Sequence, residues 1–130
     1  MEPRRHTLPK SRHLRLPREF DAVYGAKTRE SRGPLTVYAK PNGRDYPRLG
    51  MSVSRKVGTA VRRNRIRRLL REAFRFMQHD PPRGYDLVVV VRPHAPLMLA
   101  EYQKLLSGMV VRLHGTWSRR PAPPPATRAT

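Results

Sequence analysis

Between Arg48 and Met77 the hydrophobic period of the chain changes from about 2 to about 3.6 residues, which demands a strand, a sharp turn and a helix in direct succession. Leu49, Met51 and Val53 alternate with Gly50, Ser52 and Ser54, the pattern of a half-buried strand. Gly58 permits the turn, and Thr59 suits the N-cap of the helix that follows. At about 100° per residue, Ile66, Leu69, Leu70, Ala73, Phe76 and Met77 gather on one side of that helix, which predicts its core face.

The other side carries Asn64, Arg67, Arg68, Arg71 and Arg75, with Arg63 and Arg65 at its edges. Seven arginines lie between positions 62 and 75, against the single acid Glu72. Cations in the first turn oppose the helix dipole, and the like-charged pairs Arg63/Arg67, Arg67/Arg71 and Arg71/Arg75 each cost about 0.2–0.5 kcal/mol. Most charge runs are solvated faces, but a solvated face gains from mixed signs. A one-signed face kept at the expense of helix stability points to a polyanion.

The whole chain shares the bias. Its 130 residues suit one domain with a modest core, and Lys+Arg outnumber Asp+Glu by 28 to 9 for a formal net charge of +19. Charge alone admits nucleic acid or an anionic membrane surface. No apolar run approaches the roughly 20 residues of a membrane span, and residues 1–20 lack the apolar core of a signal peptide. The expectation is a cytoplasmic protein with no membrane partner. With no cysteine, disulfides, thiolate zinc sites and thiol chemistry are excluded.

Taken in order, residues 1–15 are basic, interrupted by Pro3 and Pro9, and read as a flexible arm. Pro17 suits the start of a short helix and Gly25 its C′ end, with Phe20, Val23 and Tyr24 on one face. A loop with room for a short strand follows, and then a strand over Leu35–Lys40, with Leu35, Val37 and Ala39 on one side and Thr36 and Tyr38 on the other. Pro41-Asn42-Gly43 begins a turn, so Leu35–Lys40 and Arg48–Ser54 read as an antiparallel pair. After Pro81-Pro82, the unbroken Leu87–Val91 within Tyr85–Arg92 fits a central strand covered on both faces. A last helix is predicted over Leu97–Leu113, with Tyr102, Leu105, Leu106, Met109 and Leu113 buried. The domain is thus set at 16–117 and a Pro/Ala-rich disordered tail at 118–130. The fold class is α+β, helices against one sheet.

Catalytic chemistry has little to stand on. A metal-dependent nuclease needs clustered carboxylates, and the nine acids form no paired motif. The five histidines show no HxH or HxxxH spacing. No catalytic residue is assigned, and residues contacting a metal cannot be read from the sequence.

The block from Lys56-Val-Gly58 through Arg63-Asn64-Arg65-Ile-Arg-Arg68 to Arg71-Glu72 resembles the signature of the bacterial ribonuclease P protein subunit, with weaker similarity from about Leu14 to Leu113. Thr59 departs from the Asn found in many relatives but still caps a helix. The resemblance implies a two-layer α/β sandwich, ribosomal protein S5 domain 2-like, with three helices and a roughly four-stranded mixed sheet. It also implies a left-handed β-α-β crossover, against the usual right-handed rule. The function implied is removal of the 5′ leader from precursor tRNA by a ribonucleoprotein whose RNA subunit, with Mg²⁺, holds the active site. The protein's partners would be the catalytic RNA, one protein per RNA, and precursor tRNA. By the same resemblance Arg55, Lys56, Arg62, Arg63, Asn64, Arg65, Arg67, Arg68 and Arg71 face the catalytic RNA. Phe20, Tyr24, Thr36 and Tyr38, with Lys56 at the margin, match a cleft for the single-stranded leader. Aromatics beside cations suit unpaired RNA, because every base offers a π-face.

Two other readings compete. A ribosomal or general structural RNA-binding protein would be as basic and as small, but would not account for the ordered arginine block. A DNA-binding regulator could lay the helix in a major groove, yet arginines without base-reading partners serve phosphates rather than sequence.

Overall fold

A computed structural model of the chain describes residues 10–80 and 82–119. The arm over residues 1–9 and the tail over 120–130 therefore lie outside the described residues. Three helices and four strands follow in the order α1 (Pro17–Gly25), β1 (Arg29–Arg32), β2 (Leu35–Pro41), β3 (Arg48–Val53), α2 (Ala60–Met77), β4 (Tyr85–Val91) and α3 (Leu99–Arg119). They make an α+β fold around one mixed sheet in the order β1-β2-β4-β3.

The expected pairing of β2 with β3 does not occur. β4 lies between them, antiparallel to β2 and parallel to β3. The reason is side-chain economy within the sheet. Leu87, Val89 and Val91 enter the main core while Val88, with Val90 beside it, enters a second cluster on the opposite face. The strand that is apolar on both sides takes the position covered on both sides. β2 and β3 each offer one apolar face, and β1 pairs with β2 through a two-residue turn in which Gly33 sits at φ +56.

The main core lies between the sheet and the pair α2–α3, with Leu35, Val37, Ala39 and Leu49 meeting Ile66, Leu70, Phe74, Tyr102, Leu106, Met109 and Leu113. On α2, Phe74 is fully buried and Phe76 is 51% exposed, the reverse of the expected core face. On a wheel the two phenylalanines lie about 80° to either side of Ile66, so periodicity alone does not separate them. Packing against α3 rotates the helix toward Leu70 and Phe74. α3 also runs six residues past its expected end at Leu113, to Arg119, because Trp117 donates from Nε1 to the Ala39 carbonyl at 3.0 Å and ties the last turns to β2.

α1 crosses the other face of the sheet. Its start is set by Pro17 and by Glu19, whose Oε1 accepts the N–H groups of Arg15 at 2.8 Å and Leu16 at 2.9 Å. Its left-handed exit residue is Lys27, at φ +56, rather than the expected Gly25. The last six residues assigned to the flexible arm are packed instead. Lys10–Arg12 form a 3₁₀ turn, His13 bridges Leu49, Leu14 donates to the Leu49 carbonyl at 2.9 Å, and the Leu14 side chain is buried. The buried Leu14 side chain, three places before Pro17, docks this segment together with the backbone pairing to Leu49.

Candidate nucleic-acid interface

The first surface is built on α2 and its entry turn. After β3 the chain makes a 3₁₀ turn over Arg55–Val57 that buries Val57 and leaves Arg55 and Lys56 exposed. Gly58, at φ +147, lets the Arg62 side chain cross the turn: a Cβ there would stand 2.7 Å from Arg62 Cδ. Thr59 Oγ1 accepts the Arg62 N–H at 3.2 Å and caps the helix as expected.

The rotation that buries Phe74 divides the arginines. Arg62, Asn64, Arg65 and Arg68 are exposed, whereas Arg63, Arg67 and Arg71 are half-buried along one flank. Asn64 Oδ1 accepts from Arg67 Nη1 at 3.2 Å, so this asparagine orients a neighbouring guanidinium. Desolvation, and then the charges of Arg67 and Arg68, lower the Arg71 pKa from its usual value. Buried Nε of Arg63 has no hydrogen-bond partner among the described residues. Arg75 is neutralised by Glu72 at 2.9 Å, and its guanidinium lies 4.6 Å from the centre of the Phe76 ring. Seven like charges with one counter-charge at the far end leave a concentrated cationic surface over the first three turns.

The second surface is the sheet face under α1. Phe20, Val23 and Tyr24 from the helix meet Tyr38, Val88 and Val90 from the sheet around Leu14. Phe20 rests on bare backbone, since a Cβ at Gly50 would come within 2.7 Å of its Cζ. Tyr24 and Tyr38 meet edge to face, ring centres 4.9 Å apart. One row further along, the register places Ser31, Thr36, Val90 and Ser52 side by side across the sheet on the same face. Thr36 is nearly buried there, its hydroxyl bonded to Ser31 Oγ at 2.8 Å and Arg92 Nη1 at 2.6 Å. The structure thus brings Phe20, Tyr24 and Tyr38 together and makes Thr36 a supporting residue in the floor. Lys56 lies in the exposed turn that follows the opposite edge strand. Val90, Ser52, Arg92, Lys27 and Arg29 complete the surroundings and were missed; strand register reveals Val90, Ser52 and Arg29, the left-handed exit of α1 brings in Lys27, and a hydrogen bond to Thr36 brings in Arg92.

α1 is locked over this face by charge. Arg48 on β3 reaches Asp86 on β4 and also Glu19 on α1, at 3.3 Å from Nη1. Among the described residues no three His, Asp or Glu side chains gather as a metal site. Glu19 spends Oε1 on the Arg15 and Leu16 N–H groups and Oε2 on Arg48, and Asp86 accepts from Arg48 and Asn42, so this donor set does not fit a Mg²⁺ held by the protein alone. Among the same residues no helix is long and apolar enough to cross a membrane.

The family model of ribonuclease P matches residues 8–114. The chain belongs to the ribonuclease P protein family. Ribonuclease P protein components of Syntrophus aciditrophicus and Brevibacillus brevis are 37% and 40% identical to it, each over 71% of this chain and over 77% and 74% of their own lengths. Among solved structures, the RNase P protein of Staphylococcus aureus superposes with a TM-score of 0.69 at 28% identity, covering 79% of this chain and 95% of that one. The RNase P protein from Thermotoga maritima, solved with 1-(4-fluorophenyl)-2-thiourea, gives 0.66 at 34% identity over 74% and 95%. Membership makes this chain a protein subunit of ribonuclease P, a participant in tRNA processing associated with the ribonuclease P RNA. The ribosomal and DNA-regulator readings fall with it.

Proposed function

We propose that the chain bridges two RNAs: its α2 surface binds the catalytic RNA, and the cleft under α1 binds the 5′ leader of precursor tRNA. Arg55, Lys56, Arg62, Arg63, Asn64, Arg65, Arg67, Arg68 and Arg71 serve the first contact, through guanidinium–phosphate bonds and the counterions they release. Phe20, Tyr24 and Tyr38 serve the second, with Thr36 supporting the floor and Lys56 at the margin. The observation that carries this reading is the chemical difference between the surfaces. One is nearly all arginine, and the other sets aromatic rings beside cations on a rigid sheet.

The active site is then the RNA subunit's, and Mg²⁺ is held mainly by RNA. One protein serves one catalytic RNA, in the cytoplasm. Purified protein free of RNA, incubated with precursor tRNA and Mg²⁺, should not release the leader. The decisive experiment compares precursor with mature tRNA affinity for the reconstituted holoenzyme. Tyr38→Ala should lower that ratio by the equivalent of about 1–3 kcal/mol for a stacked base. A folded Tyr38→Ala variant with the wild-type ratio removes the leader from the cleft.

A further inference from the structure

Lys27 is, among the described residues, the one non-glycine at positive φ. Side chains with a Cβ adopt that region rarely, and helix exits of this kind commonly use glycine. The lysine here lines, with Tyr24, Arg29 and Tyr38, a pocket of about 530 Å³ at the end of α1. The two tyrosine rings stand at 87° to one another and form a corner. Arg29 Nη1 donates to Tyr38 Oη at 3.2 Å, and its guanidinium carbon lies 5.9 Å from the ring centre. No carboxylate of the described residues lies within ion-pair distance of Lys27 or Arg29. Two uncompensated cations therefore stand beside two aromatic faces in a concavity, a combination suited to a base with its phosphate.

The position of the pocket matters as much as its lining. It opens on the β1–β2 side of the sheet, whereas Lys56 follows β3 at the other edge. Three strand spacings of about 4.8 Å separate the edge strands, roughly 14 Å. A single strand that touches both margins must cross the sheet.

We propose that Tyr24, Tyr38, Lys27 and Arg29 form a nucleotide subsite at the β1 edge of the cleft, where a base packs on a tyrosine and Lys27 and Arg29 hold the adjoining phosphate. This rests on the assignment of the cleft to the leader and extends the leader's path across the sheet. Lys27 and Arg29 thereby set how many leader nucleotides contribute to binding.

The test uses holoenzyme reconstituted with wild-type protein, Lys27→Gly, Arg29→Gln and the double variant. Affinity is measured for mature tRNA and for precursors whose leaders grow one nucleotide at a time, over a range of salt. Wild type and double variant should coincide on mature tRNA and on the shortest leaders. Beyond one threshold length the double variant should fall about tenfold behind, with its log–log salt slope shallower by about 1.4, or about 0.7 per lost single-strand contact. Lys27→Gly should unfold no earlier than wild type, since glycine accepts this backbone freely, so a binding loss cannot be ascribed to misfolding. An equal loss on mature tRNA would reduce the pair to general charge and overturn the subsite. No loss at any length, while Tyr38→Ala still lowers the precursor ratio, also overturns the subsite and leaves the cleft standing. If Tyr38→Ala has no effect either, the cleft assignment itself is lost.

Discussion

Arg48 holds Asp86 across adjacent parallel strands with two bonds, Nε to Oδ1 at 2.8 Å and Nη2 to Oδ2 at 2.6 Å. The same guanidinium extends to Glu19, so one residue joins β3, β4 and α1. The side chains of the pair are 15% and 11% exposed, sheltered enough for the geometry to matter. Arg48→Ala would leave Asp86 with Asn42 Nδ2, at 2.9 Å, as its remaining partner. Breaking such a pair from one side costs about 3–5 kcal/mol. Urea unfolding should show that loss, and the variant holoenzyme should discriminate precursor from mature tRNA less well as α1 loosens.

Glu19 gives the fold an acid-sensitive point. Backbone N–H bonds from Leu16 and Arg15, and then the charge of Arg48, hold its carboxyl below the usual value of 4.5. A depressed folded pKa stabilises the protein above the unfolded value, and that contribution disappears as pH falls through the folded one. Glu19→Gln should therefore be less stable than wild type at neutral pH, and the two should converge in acid below about pH 4.5. Urea midpoints across that range give the comparison.

Gly50 tests the cleft without touching any charge. An alanine Cβ would stand 2.7 Å from Phe20 Cζ, 2.8 Å from Cε2 and 3.1 Å from Leu14 Cβ. The ring must lift from the sheet, at about 1–3 kcal/mol for overpacking. Gly50→Ala should reduce the precursor-to-mature affinity ratio while assembly with the catalytic RNA stays at wild-type strength.

The two phenylalanines of α2 should respond very differently. Phe74→Ala opens a cavity in the main core and should cost about 3–5 kcal/mol. Phe76→Ala gives up only the contact with Arg75, about 0.5–1 kcal/mol at an exposed site. Chemical unfolding of both variants, read with the same probe, checks the rotation of the helix.

Arg65 and Arg68 are exposed and stand off the apolar face. Arg65→Ala and Arg68→Ala should keep the fold, weaken assembly with the catalytic RNA and each lower the log–log salt slope by about 0.9. An unchanged slope in the double variant would return this face to plain solvation.

How far the sequence led can be traced residue by residue. Alternation found β2, β3 and the inward set Leu35, Val37, Ala39 and Leu49, because a strand's period leaves no ambiguity about faces. The unbroken apolar run found β4 as a central strand. Its partners were beyond reach: sequence adjacency favoured β2 with β3, and only the need to cover Leu87–Val91 on both faces reverses that. The helix wheel failed at Phe74 and Phe76 because the two are placed symmetrically and α3 makes the choice. At the cleft, Phe20, Tyr24 and Tyr38 were legible from resemblance and spacing. Lys27, Arg29 and Arg92 were not, because strand register and an unusual backbone angle bring them in.

The insertion of β4 also dictates when the molecule comes into being. β2 and β3 have no direct hydrogen bonds to one another, so a chain growing from its N-terminus must hold both edges open, and α2 with them, until Tyr85–Val91 has been made. The strand that closes the sheet is separated from β2 by more than forty residues, a long loop to close before its contacts repay the entropy. A nascent chain stopped short of Val91 would carry every arginine of α2 with no sheet to display them on. The fixed cationic surface of α2 therefore comes into being only after β4 has entered between β2 and β3.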